Sequence, residues 1–120
     1  MSDLDVYTDL FAGHVVVALR GELDARDASW LARALSAAAA SGSRIIVDLA
    51  GLTFMDCSGV RALVSARMQA RQAGGDLLLA EPRGAVLRLL SLLQVAGLVP
   101  PPDTAEMAAA WSVGAPDAGD

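Results

Sequence analysis

Residues 44–59 read Arg-Ile-Ile-Val-Asp-Leu-Ala-Gly-Leu-Thr-Phe-Met-Asp-Cys-Ser-Gly. The run Ile45-Ile46-Val47 is β-branched and does not alternate with polar residues, which predicts a strand buried on both faces in the middle of a sheet. Asp48 closes it. The stretch from Ala50 to Cys57 reads as a loop, and Ser58 opens a helix. In that helix Val60, Leu63, Val64, Arg67 and Met68 follow helical spacing until Gly74-Gly75 ends it. A buried strand that passes through a loop into a helix is the repeating unit of an α/β sheet.

The same unit recurs on either side. Upstream, Val6 to Thr8 is a short extended segment, and Gly13-His14 reads as a turn before the strand Val15-Val16-Val17-Ala18-Leu19. Gly21-Glu22-Leu23-Asp24 interrupts that strand. An Ala-rich helix from Asp27 to Ala40 follows, with Asp27 or Ser29 as its cap, Leu31, Leu35 and Ala38 on one face, and Gly42 as its stop. Downstream, Leu77 to Ala80 is a third apolar strand, and Pro82 precedes a Leu-rich helix from Ala85 to Val95. Leu89, Leu90, Leu92 and Leu93 leave this helix almost no polar side, which predicts burial against the sheet and a last helix, Thr104 to Trp111; the alternative is an exposed apolar strip for a partner. Strands alternating with helices predict an α/β fold with crossover helices packed on a small sheet. With no repeat and no linker, one domain is expected over residues 1–112, with a flexible tail at 113–120.

Composition narrows the function classes. The chain has 120 residues, 54% of them hydrophobic but only 4% aromatic, so its core must be built from Leu, Val and Ala. Nine basic against fourteen acidic residues give a net charge of −5, which argues against a general nucleic-acid binder. All nine basic residues are Arg, which excludes Schiff-base chemistry and Lys-based phosphate loops. The single cysteine, Cys57, forms no internal disulfide. Neither a secretory signal nor a membrane span is expected: the acidic N-terminus lacks a basic region, and the most apolar stretch, Ala85 to Val99, contains Arg88 and Gln94. A cytoplasmic location is the expectation.

Two polar clusters stand out, Gly21-Glu22-Leu23-Asp24 and Met55-Asp56-Cys57-Ser58-Gly59. Both fall where the carboxyl end of a strand hands over to a helix, the edge at which open α/β sheets meet their ligands. Ser58 lies at or beside a helix start, where free N–H groups and the dipole favour negative charge. A plain N-cap and a modifiable hydroxyl both fit it. Asp24 and Asp56 are equally ordinary as loop carboxylates. Cys57 adjoins Asp56 rather than a cation, so a small buried residue is expected there and not a reactive thiolate. His14 reads as an exposed turn residue, and one His with one Cys makes no metal site. No phosphate-binding glycine loop is present, and a small hydrolase using Asp24, Asp56 or Cys57 rests on isolated residues; no enzyme activity, cofactor or metal is expected.

The stretch from Arg44 to Gly59 resembles the signature of STAS domains, particularly the bacterial anti-sigma factor antagonists, in which Val-Asp-Leu leads to Phe-Met-Asp-Ser-Ser/Thr-Gly. Val15-Val-Val-Ala-Leu-Arg-Gly-Glu-Leu-Asp24 is similar to the family's second hallmark, Gly-Glu-Leu/Ile-Asp. The resemblance extends from about Val6 to Trp111. It implies a mixed sheet of roughly four to five strands with crossover helices.

It also implies a partner switch. The antagonist binds an anti-sigma factor that is a Ser/Thr kinase of the histidine-kinase-like ATPase type, and a sigma factor is freed. Phosphorylation of a Ser in the turn releases the antagonist, and a PP2C-type phosphatase resets it. Carried over, the acceptor is Ser58, and the partner-binding residues are Glu22, Asp24, Asp56, Cys57, Ser58 and Gly59. Where relatives often have a first hydroxyl after the Asp, this chain has Cys57, which leaves Ser58 as the acceptor in the turn. The alternative within the family is a phosphorylation-independent scaffold subunit, attached to an ABC lipid transporter or a stress-signalling assembly.

Overall fold

The computed structural model describes residues 3–93. Its elements run β1 (Leu4–Phe11), β2 (His14–Leu23), α1 (Ala25–Ala40), β3 (Arg44–Met55), α2 (Cys57–Gln72), β4 (Asp76–Ala80) and α3 (Gly84–Leu92). They form one mixed sheet in the order β1-β2-β3-β4, with β1 antiparallel to β2 and the other two pairs parallel. The hairpin turns at Ala12 and Gly13, both at positive φ (51° and 80°), a geometry that matches the twist of the flanking strands.

Two consecutive crossovers step across the sheet in the same direction, and right-handed connections then place their helices on one face. α1 and α2 accordingly pack against each other. The core beneath them joins Val17, Leu19, Ile45, Val47, Leu49, Leu77 and Leu79 of the strands to Leu31, Leu35, Leu63, Ala66 and Ala70 of the helices. Val16, Ile46 and Ala80 form a smaller cluster with Phe11 on the opposite side. Every residue of β3 from Ile45 to Leu49 is buried, Ile45, Ile46 and Val47 as their apolar run predicts and Asp48 in spite of its charge.

Several expected boundaries move, each for a physical reason. β1 is longer than Val6 to Thr8 because it pairs with β2 from Leu4 to Phe11; as an edge strand it keeps Asp5 and Asp9 exposed, so its sequence shows little apolar pattern. Gly21-Glu22-Leu23 does not interrupt β2, and residues 50–55 are strand rather than loop. Both belong to the parallel ladder, through Gly21↔Leu52, Glu22↔Phe54 and Leu23↔Met55, and register shifts after Ala18 and Gly21 break the alternation that pattern reading relies on. α1 starts at Ala25 and is capped by Asp24, not by Asp27 or Ser29; Asp27 lies buried in the first turn. α3 buries Val86 and Leu90 in the core, while Leu87, Leu92 and the capping Leu93 are exposed. The expected helix at 104–111 and the tail at 113–120 lie outside the described residues. Among the described residues no helix is long and apolar enough to cross a membrane.

Asp48 is the one charged side chain buried within the described sheet, flanked in register by Ala18 and Ala80. One of its oxygens accepts the Ala50 N–H at 2.8 Å. Burial pushes its carboxyl above the usual range; the Ala50 bond and the more distant Arg83 and Arg20 oppose this, while Glu81 adds to it. A raised folded-state pKa means that the stabilising contribution belongs to the protonated form and is lost as pH rises through that pKa. Asp48→Asn, of the same shape but uncharged, is therefore expected to raise the melting temperature at pH 7, with the gain shrinking as pH falls into the carboxylate range. Thermal unfolding followed by circular dichroism at both pH values checks this, and a lower melting temperature at pH 7 would contradict it.

Candidate functional site

β2 and β3 end side by side, at Leu23 and Met55, both buried and paired in register. The next residue of each strand is an aspartate in extended conformation that caps the helix behind it. Asp24 accepts the Arg26 N–H at 3.0 Å, and Asp56 accepts the Gly59 N–H at 3.2 Å. The Asp56 N–H donates to the Leu23 carbonyl at 3.3 Å and ties the two junctions together. Gly-Glu-Leu-Asp and Phe-Met-Asp-Cys-Ser-Gly are thus one device used twice: a strand end, an apolar anchor, and an Asp that starts a helix.

Each glycine in these motifs answers to a close approach. Gly21 sits at φ +100°, and a Cβ there would come within 2.0 Å of the Asp3 carbonyl, which instead accepts the Glu22 N–H at 3.1 Å. Thr53 Oγ1 donates to the Gly21 carbonyl at 2.9 Å. A Cβ on Gly59 would meet Met55 Cγ at 2.7 Å and Leu23 Cγ at 3.0 Å, so the first turn of α2 rests directly on the paired strand ends.

The Ser58 hydroxyl donates to Asp56 Oδ1, the oxygen that also accepts the Gly59 N–H. Those bonds hold the Asp56 carboxyl below its usual range; the Ser58 hydroxyl contributes most, burial opposes it, and the nearby charge of Asp24 opposes it more weakly. Asp24 is lowered chiefly by the Arg26 guanidinium, whose nitrogen lies 3.0 Å from Asp24 Oδ2 and 3.6 Å from Asp3 Oδ2. At this edge a half-buried hydroxyl is therefore held on an ionised carboxylate, beside two helix N-termini.

Glu22, Asp24, Asp56, Cys57, Ser58 and Gly59 all gather at this edge, with Gly59 buried beneath it. Two details differ from expectation. Asp56, not Ser58, caps α2, because an Asp one residue before the helix reaches the free N–H groups. Cys57 is exposed rather than buried: as the first residue of α2 it lies outside the inward stripe of Gly59, Val60, Leu63, Ala66 and Ala70. His14 begins β2 at the far end of the strand, its Nδ1 3.1 Å from the Ala12 carbonyl. Sequence reading missed Asp3 and Arg26; an Arg two residues past a capping Asp, in a first helical turn that disfavours cations, was the available signal for Arg26. Among the described residues, no group of three or more His, Cys, Asp or Glu side chains is placed to hold a metal ion.

This geometry coincides with a family match. The STAS domain model matches residues 6–108. The chain belongs to the STAS domain family. It is 27% identical over 103 residues to a Bordetella bronchiseptica protein named as the anti-sigma factor antagonist BtrV, covering 85% of this chain and 89% of that one. Its fold is similar to that of the anti-sigma factor antagonist SpoIIAA in its unphosphorylated form, with a TM-score of 0.74 at 24% identity over 92% of this chain and 97% of that one. It is also similar to the phosphorylated form of the Bacillus cell fate determinant SpoIIAA, with a TM-score of 0.67 at 23% identity over 88% and 96%.

If α2 is seated on Leu23 and Met55 through Gly59, then Gly59→Ala overpacks the junction and is expected to cost about 1–3 kcal/mol. Cys57→Ala, on the exposed neighbour, is expected to stay within about 0.5 kcal/mol of the parent. Urea unfolding of the two variants measures the difference; equal midpoints would contradict the seating.

Proposed function

We propose that this STAS domain is an anti-sigma factor antagonist controlled by phosphorylation of Ser58. The observation that carries the reading is the Ser58 hydroxyl held on Asp56 at the start of α2, half-exposed and next to the second acidic junction at Asp24. The name of the Bordetella relative supports the anti-sigma role, and the existence of SpoIIAA in phosphorylated and unphosphorylated forms supports the switch. In this reading the unmodified domain docks by this edge on an anti-sigma factor kinase of the histidine-kinase-like type. The sigma factor is then released, all within the cytoplasm. The domain itself acts as a binding module rather than an enzyme.

The physics of the switch follows from the hydrogen bond. Phosphorylation removes the proton that Ser58 donates to Asp56 and adds about −1.5 to −2 charges at pH 7. An attractive contact becomes a repulsive one. At an effective dielectric near 20, two unit charges about 5 Å apart repel by roughly 3 kcal/mol, or about a hundredfold in affinity once a partner has covered the pair. The N-terminus of α2 stabilises the phosphate by about 0.3–1 kcal/mol, so the fold is retained while the partner leaves. A PP2C-type phosphatase restores the hydroxyl.

With the cognate kinase and ATP, mass spectrometry is expected to find one phosphate, on Ser58. Ser58→Ala abolishes it and still binds the anti-sigma factor, because Asp56 and not Ser58 caps the helix; Ser58→Glu binds more weakly. Equal binding by the two variants would point instead to a phosphorylation-independent scaffold. Charge can be separated from capping at the neighbours with Asp24→Asn and Asp56→Asn, since Asn caps as well as Asp does.

A further inference from the structure

Resting on the reading above, we infer that Phe54 is the apolar anchor of the docking surface, and that the anti-sigma factor receives it in an apolar pocket with a basic rim. Phe54 is 44% exposed although its two neighbours are fixed: Met55 is in the core, and Thr53 is bonded to the Gly21 carbonyl. The backbone that presents the ring is therefore fixed on both sides. Tyr7 and Trp30 are exposed to a similar extent, but Phe54 is the exposed ring two residues from Asp56 in the strand that leads into α2, and aromatic residues are enriched in the cores of interfaces.

Its surroundings define the partner. Glu22 is the register partner of Phe54, so the two stand about 4.8 Å apart across the parallel ladder. Two residues further along each strand, about 6.6 Å away, are Asp24 and Asp56. Asp3 joins the same edge through Glu22 and Arg26. Four acidic residues thus share the sheet edge with Phe54, and Arg26, the guanidinium among them, is held by Asp24 and Asp3. A second copy of this chain is disfavoured as occupant, because a twofold contact would set the acidic rim against itself. A cationic protein face is favoured, and cations at the rim set both association rate and specificity. Phosphate on Ser58 enters the same rim.

The test uses purified histidine-kinase-like anti-sigma factors of the source organism, titrated calorimetrically against the full chain. One of them is expected to bind the parent, with affinity falling between about 50 and about 300 mM salt as rim charges are screened. Phe54→Ala weakens binding at least about thirtyfold with an unchanged circular dichroism melt. Glu22→Arg weakens it by reversing a charge at the rim while Phe54 is retained. Leu10→Ala, 76% exposed at the opposite end of the sheet, has no effect. Undiminished binding by Phe54→Ala overturns the anchor while leaving the proposed function standing. Salt-independent binding overturns the basic rim. A homodimer in sedimentation that Phe54→Ala dissolves overturns the choice of occupant. Failure of every anti-sigma factor to bind the parent overturns the functional reading itself.

Discussion

The parallel pairing of Leu23 with Met55 is the constraint on which the rest depends. Because β2 and β3 run in the same direction and end together, whatever follows each strand must appear at the same edge. Here a capping aspartate and a helix follow both. Gly59 lets α2 descend onto the paired ends, and the Asp56 N–H to the Leu23 carbonyl joins the two turns. Segments separated by the whole of α1 thereby become a single surface, supported from below by the larger of the two clusters of buried side chains among the described residues.

That support explains how a surface can change its charge without changing the fold. Asp24 and Asp56 are half-exposed, and they owe their lowered pKa values to local hydrogen bonds rather than to the core. The core cluster under them is apolar, and the buried carboxylate of the sheet, Asp48, lies outside that cluster, seven residues before Met55 on the same strand, with a pKa shifted the other way. The hydroxyl of Ser58 donates to the cap of its own helix. A modification there alters what a partner meets, and little that the domain needs in order to remain folded.

Much of this was legible in the sequence, and the exceptions are instructive. Ile45-Ile46-Val47 and Val15–Leu19 announced the central strands, because burial on both faces leaves an unbroken apolar run. The grouping of Asp24 with Asp56 and Ser58 followed from strand-to-helix order and from the family motifs. The parallel ladder beyond Ala50 was not legible, since Ala-Gly-Leu-Thr carries loop composition and the register shifts erase alternation. The roles of Asp56 and Ser58 were exchanged for a similar reason: both residue types cap helices, and only geometry shows which oxygen reaches Gly59. The exposure of Cys57 and Phe54 was equally hidden, because apolar residues beside a core are buried more often than not.

The central claim is that charge at Ser58 acts locally, on a surface carried by an unchanged fold. Its most direct test is the amide spectrum of the full chain with phosphoserine installed at position 58 during translation, compared with the unmodified chain. The account predicts shift changes confined to residues 22–26 and 54–61, with the amides of Ile45–Leu49 and Leu77–Ala80 unmoved and equally protected from exchange. Changes spreading through those buried strands would contradict it, because the modification would then be acting on the fold rather than on the surface.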